Sequence, residues 1–114
     1  MNSEYDSLMN EILKSEGVKG KINLVFVSDH EIRRLNGRFR GKNKATDVLS
    51  FPMGENGILG DIAISVDTAG RNAQRFGVQY KREVKRLVIH GVLHLLGYDH
   101  GRRMQSAEET YKKF

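Results

Sequence analysis

The chain has 114 residues, of which 39% are hydrophobic and 29% are charged, and its net charge is +5. These values suit one compact domain and exclude a disordered, fibrous or membrane-embedded chain. Cysteine is absent, so no disulfide partner is expected. Any metal must be held by histidine and carboxylate ligands. No apolar run is long enough to span a bilayer and no secretory signal is recognisable, so we expect a single cytoplasmic domain over residues 1–114.

The positive charge is concentrated in one segment. Six basic residues and no acidic residue lie between positions 33 and 44, namely Arg33, Arg34, Arg38, Arg40, Lys42 and Lys44. Such a cluster can neutralise phosphate groups, which favours nucleic acid as a partner. A solvated basic surface is the alternative interpretation.

The first half of the chain predicts a helix, a strand and a second helix. Apolar residues at helical spacing indicate a helix over 3–15, and the segment KINLVFV at 21–27 is typical of a strand. Ser28 followed by Glu31 is a capping-box pattern that opens the next helix, for which Gly37 is the expected end.

The second half predicts two strands and three helices. The strands cover 46–52 and 58–66, with the turn MGENG between them, and Asp67 or Thr68 is the expected cap of a helix over 68–76. The longest helix should run from Tyr80 to Leu96 with its second half buried, and a short helix should cover 103–113. The predicted fold is therefore a single α+β domain, in which a small mixed sheet of three to four strands is covered by about five helices.

The stretch HGVLHLLGYDH at 90–100 carries the most specific chemistry. His90 and His94 lie four residues apart, so they point from the same face of the long helix. Gly97 can take the left-handed conformation that ends a helix and returns His100 towards them. Three imidazoles leave a fourth tetrahedral position open, as in catalytic zinc sites. A single buried histidine is usually a core residue, but two unpaired imidazoles on an apolar helix would be costly, which favours a metal.

The spacing H-x-x-x-H-x-x-G-x-x-H is also that of the metzincin proteases, whose first histidine is followed by a glutamate that serves as general base. Gly91 stands at that position here. A peptidase without its base is a poor fit, so the histidines are expected to serve another hydrolysis.

The sequence resembles the YbeY family, bacterial metal-dependent endoribonucleases linked to ribosomal RNA maturation and ribosome quality control. The similarity begins near residue 21 and rests on HGVLHLLGYDH at 90–100, LNGRFRGKNKATDVLSFP at 35–52 and LGDIAIS at 59–65. It implies that His90, His94 and His100 bind one zinc ion per chain and that Arg40 is the functionally important arginine.

The chain departs from that family pattern at both ends. Family members generally have a further strand before the first helix, so we expect three strands where the family has four. The C-terminal helix is represented only by MQSAEETYKKF.

The predicted activity is cleavage of single-stranded RNA, including ribosomal RNA. A metal-activated water would attack the phosphodiester while the planar guanidinium of Arg40 binds a phosphate. Ribosomal components are expected partners, and no membrane partner is expected. Two other functions stay open: a different metallohydrolase such as a peptidase, and an RNA- or ribosome-binding protein whose zinc is structural.

Five further residues carry weaker signals. Asp99 is equally suited to orienting an imidazole and to holding its turn, whereas hydrogen bonding to nearby backbone is favoured over catalysis for Asp47 and Asp61. Phe39 could stack on an unpaired base, but a core position is expected, and His30 is expected to be exposed. No side chain stands out as the general base.

Overall fold

The computed structural model describes residues 3–114, and in that part of the chain five helices and three strands follow one another. Their order is α1 (Ser3–Ser15), β1 (Lys21–Val27), α2 (Asp29–Arg40), β2 (Val48–Glu55), β3 (Ile58–Ser65), α3 (Val66–Phe76), α4 (Tyr80–Leu95) and α5 (Arg102–Tyr111). The predicted α+β architecture is confirmed. Among the described residues no helix is long and apolar enough to cross a membrane.

The sheet is mixed and has β3 at its centre. β3 pairs in parallel with β1 and antiparallel with β2, so both β1 and β2 are edge strands. The β2–β3 hairpin turns at Asn56 and Gly57, whose φ angles of 55° and 74° are both left-handed. An Asn-Gly pair is the preferred sequence for such a two-residue turn, which explains why β2 continues past its predicted end at residue 52.

Alternating side chains of the sheet form two separate cores. On one face, Leu24, Ile62 and Ile64 pack with the buried sides of α1 and α4. On the other face, Ile32 of α2 packs against Leu49 and Ala63 in a smaller cluster. α2 therefore covers one face of the sheet while α1 and α4 cover the other.

Gly91 brings α4 unusually close to the sheet. A Cβ atom at Gly91 would lie 2.8 Å from Cγ2 and 3.0 Å from Cδ1 of Ile62, which is fully buried. The backbone carbonyl of Gly91 also accepts a buried hydrogen bond of 3.0 Å from the hydroxyl of Ser50. Glycine is thus required after His90 because the sheet occupies the space of a side chain.

The N-termini of α2 and α3 are joined by reciprocal hydrogen bonds around Asp29. The Asp29 carboxylate accepts from Ser65 Oγ at 2.7 Å, Thr68 Oγ1 at 2.6 Å and Arg71 at 2.6 Å. Ser65 caps α3 by accepting from the Thr68 backbone N–H. The prediction that Asp67 or Thr68 caps this helix was wrong, because Asp67 instead accepts from the backbone N–H of Asp29.

The end of α2 also differs from the prediction. The helix passes through Gly37 and ends at Arg40, where Gly41 takes a left-handed φ of 67°. Asn36 is buried and donates its side-chain amide to the carbonyl of Lys44, which holds the following loop against the helix. The extra turn places Phe39 and Arg40 on the helix.

We predict that Gly91→Ala destabilises the fold by about 1–3 kcal/mol, because the added methyl group overpacks the contact with Ile62. Equilibrium urea unfolding measures the change. The matched control is Gly70→Ala in α3, where an added Cβ meets nothing within 4 Å. The free energy of unfolding of that variant should increase by about 0.5–1 kcal/mol, because alanine lowers the entropy of the unfolded chain. Equal effects at the two positions would contradict the close approach of α4.

The Asp29 contacts predict a specific acid sensitivity. Hydrogen bonds from Ser65 and Thr68, and then the charge and hydrogen bond of Arg71, lower the pKa of Asp29 from 3.8 to about 2. Because the folded pKa lies below the unfolded one, its stabilisation is fully present above pH 4 or so and is lost as the pH falls towards 2. Asp29→Asn should therefore lower the free energy of unfolding at pH 7 and have a smaller effect at about pH 2, as measured by urea titration at both pH values. If Asp29→Asn changed the free energy of unfolding equally at both pH values, the charge of the Asp29 carboxylate would not be the source of the stabilisation.

Candidate metal centre

The second half of α4 carries two of the three predicted metal ligands. Nε2 of His90 and Nε2 of His94 are 3.0 Å apart, as expected for side chains one helical turn apart. Both rings are partly buried, and they lie next to the helix face that contacts the sheet at Gly91. The helix position relative to the sheet therefore fixes both imidazoles.

A tight turn after α4 returns His100 to the same place. Gly97 has a φ of 93°, its N–H donates to the carbonyl of His94, and the N–H of Tyr98 donates to the carbonyl of Leu93. These two bonds form a Schellman motif, which confirms the predicted role of Gly97. The ring of His100 lies 5.7 Å from that of His90 and 5.1 Å from that of His94, measured between centroids.

A tyrosine pair holds the turn against the first helix. Tyr98 donates a hydrogen bond of 2.9 Å to Glu16, just after α1, and Tyr111 of α5 donates to the other oxygen of the same carboxylate. The hydrogen bond to the Glu16 carboxylate and burial raise the pKa of Tyr98. One carboxylate thereby connects α1, α5 and the turn that carries His100.

Glu108 of α5 orients the first histidine. Its Oε2 lies 2.9 Å from Nδ1 of His90, and the two side chains are 28% and 20% exposed. A proton on Nδ1 facing this carboxylate leaves Nε2 free to bind a metal, which is the usual arrangement around ligating histidines. Sequence reasoning missed Glu108, because one glutamate on a polar helix carries no signal of its partner. Both interpretations of Asp99, orienting an imidazole and holding its turn, stay predictions.

Burial and nearby positive charge favour the neutral form of His94. Burial, followed by the nearby His90 and His100 and by the positive charge of Arg40, lowers the pKa of His94. A lowered pKa favours the neutral imidazole, whose lone pair is available to a metal.

The three imidazoles fit a metal ion. One ligand nitrogen from each of His90, His94 and His100 lies within 4.8 Å of the others. Nitrogen ligands around one tetrahedral zinc ion are separated by about 3.4 Å. The 3.0 Å between the Nε2 atoms of His90 and His94 is close to this value, and the separations from His100 do not exceed 4.8 Å. The cluster could therefore hold one ion.

Arg40, the predicted phosphate-binding residue, is the exposed last residue of α2. Its charge contributes to the lowered pKa of His94, so it lies within electrostatic range of the histidine cluster although it belongs to another element.

The remaining predicted residues have other environments. Asp47 accepts from the side chain of Asn72 at 3.2 Å, and Asp61 accepts from that of Asn23 at 3.0 Å. Hydrogen bonding was the favoured interpretation for both, but their partners are side chains and not nearby backbone. His30 is exposed, as predicted.

The core assignment of Phe39 was wrong. Its ring is 58% exposed and touches Phe51 of β2, with a distance of 5.1 Å between the centroids. A phenylalanine is more often buried than exposed, which was the basis of the prediction. The extra turn of α2 carries Phe39 past the cluster formed by Ile32, Leu49 and Ala63.

A family model described as Endoribonuclease YbeY matches residues 1–113 of this sequence. The chain belongs to the YbeY family. The resemblance that rested on three motifs is thereby confirmed over nearly the whole chain.

Individual YbeY relatives agree with this assignment. The chain is 50% identical over 98 residues to Endoribonuclease YbeY of Aquifex aeolicus and 51% identical over 89 residues to that of Koribacter versatilis. The aligned residues make up 82% and 78% of this chain, and 63% and 59% of the relatives. The chain therefore spans about three fifths of the length of these two relatives.

A solved structure shares the fold. The solution structure of TM1509 from Thermotoga maritima matches with a TM-score of 0.73 and 34% identity, covering 96% of this chain and 77% of that one.

The contact between Glu108 and His90 predicts an effect on metal affinity. Glu108→Gln should weaken zinc binding about 10- to 100-fold, because the amide no longer increases the basicity of the imidazole. Competition with a chromophoric chelator measures this affinity. Glu109→Gln is the matched control, because the neighbouring Glu109 pairs with Lys112 at the surface. Equal zinc affinity of the two variants would contradict a contribution of Glu108 to metal binding.

Proposed function

We propose that this chain is a zinc-dependent endoribonuclease that cleaves single-stranded RNA. The observation that supports this most directly is the convergence of three imidazoles with the charge of Arg40, beside a basic segment of the chain. The names of its YbeY relatives support the same activity. Ribosomal RNA maturation and ribosome quality control in the cytoplasm, with ribosomal components as partners, are the setting that we propose for it.

The chain's own residues have distinct parts in this proposal. His90, His94 and His100 would hold the metal, and Glu108 would keep the His90 ring in the ligating orientation. When bound by three imidazoles, such a metal acts as a Lewis acid towards a phosphoryl oxygen and lowers the pKa of water to near neutrality. Arg40 would bind the scissile or the adjacent phosphate through its planar guanidinium and so position the backbone.

The packing at Gly91 disfavours the peptidase alternative. A metzincin carries a glutamate after its first histidine, whereas here a Cβ atom at that position would already lie 2.8 Å from Ile62. A side chain at that position would have to displace Ile62.

The test is cleavage of a fluorescent single-stranded RNA by the zinc-loaded chain. His94→Ala, purified identically, should lose cleavage because it removes one of three ligands, and it controls for a contaminating nuclease. Cleavage by both proteins would assign the activity to a contaminant. Cleavage by neither, in a preparation holding one zinc, would refute the proposal for this chain and favour a structural zinc, whose chelation lowers the melting temperature.

Arg40→Ala separates phosphate binding from metal binding. It should reduce cleavage about 10- to 100-fold, the loss of one charged hydrogen-bonding partner, with zinc content unchanged. Arg75→Ala removes another exposed arginine, at the far end of α3, and should cleave normally. Loss of zinc from Arg40→Ala would contradict the assigned role.

A further inference from the structure

A groove of about 1460 Å³ is lined by residues of α2 and of the sheet, including Phe51 of β2 and Ala63 of β3. Its lining includes three large apolar side chains that are exposed, namely Val25, Phe39 and Met53, together with Phe51 and Arg40. Apolar groups gathered in one exposed patch are typical of a binding surface, whereas the same groups scattered singly would need no explanation.

Phe39 is the best-placed flat group in this groove. Phe51 meets its ring edge-on, with an angle of 60° between the ring planes, which fixes its orientation. The guanidinium of Arg38 lies over the same ring, 5.5 Å from its centroid. Aromatic rings and guanidinium planes are the surfaces on which proteins stack unpaired bases of single-stranded nucleic acid.

The charges that flank Phe39 along the chain fit a polyanion. Arg38 and Arg40 flank Phe39 in the chain, within the segment from Arg33 to Lys44 that contains no acidic residue. Arg40 also lines the groove, so a phosphate bound there would lie beside the exposed ring of Phe39.

From this juxtaposition we propose that Phe39 stacks an unpaired nucleobase of single-stranded RNA, next to the phosphate bound by Arg40. The inference deepens the proposed ribonuclease function and rests on it. The base contributes a flat apolar face to Phe39, while the neighbouring phosphates contribute the negative charge that Arg38 and Arg40 attract. Because every base has such a face, this subsite selects for unpaired structure more than for sequence.

Charge argues against a second copy of the chain as the occupant. Each copy has a net charge of +5 and would bring its own segment of six basic residues to a symmetric interface. Like charges placed opposite one another in an interface are strongly unfavourable.

The experiment measures binding without cleavage. The metal-free chain is titrated into a fluorescein-labelled single-stranded RNA of about ten nucleotides, a length within the usual site sizes, and anisotropy is followed. Inorganic polyphosphate of similar charge serves as a second probe that has phosphates and no bases. The variants are Phe39→Ala, Phe39→Trp and Phe114→Ala, the last of which removes another exposed ring that packs on Tyr111.

We expect Phe39→Ala to weaken RNA binding about tenfold, the usual loss for one stacked base, with polyphosphate binding unchanged. Phe39→Trp should restore RNA affinity and Phe114→Ala should bind as the parent chain does. Equal RNA affinity of Phe39→Ala and the parent chain overturns the inference. So does an equal loss for RNA and polyphosphate, or a Phe39-dependent dimer that has no affinity for RNA.

The two proposals fail separately. Binding that depends on Phe39, in a zinc-loaded chain that cuts no RNA, would remove the nuclease function and keep the base subsite. Cleavage that depends on His94, together with RNA binding indifferent to Phe39, would do the reverse.

Discussion

The contact between Gly91 and Ile62 is the constraint on which the site depends. It lets α4 approach the sheet closely enough for Ser50 to bond to the Gly91 carbonyl, so the helix is fixed in both distance and rotation. His90 and His94 belong to that same turn, and their nitrogens are therefore held as rigidly as the core beneath them. Any side chain at position 91 would displace the helix or Ile62, and the ligand positions with it.

The third histidine depends on parts of the chain that are remote in sequence. Gly97 makes the turn, but Tyr98 anchors it to Glu16 beyond α1, and Tyr111 of α5 shares that carboxylate. α5 in turn supplies Glu108 to His90. The three histidines lie close together in the sequence, but the contacts that hold their imidazoles come from helices in both halves of the chain.

Local patterns in the sequence predicted most of the elements, because helical periodicity, the turn at MGENG and the H-x-x-x-H spacing are all short-range signals. The incorrect or missing predictions concerned features that depend on tertiary contacts. Gly37 has the intrinsic preference of a helix end, but Gly41 and the buried Asn36 carry α2 one turn further. Phe39 was assigned to the core for its residue type, although burial depends on what lies opposite. Glu108 was missed because its distance from His90 along the chain, 18 residues, matches no local spacing.

The extra turn of α2 has a functional consequence in this structure. Had the helix ended at Gly37, neither Phe39 nor Arg40 would have a helical position. In the observed fold Phe39 contacts Phe51 of the edge strand β2, while the charge of Arg40 acts on His94 beside the opposite face of the sheet. In the proposed complex, the basic segment would supply long-range attraction that weakens with salt, whereas Phe39 and Arg40 would fix the position of the RNA strand.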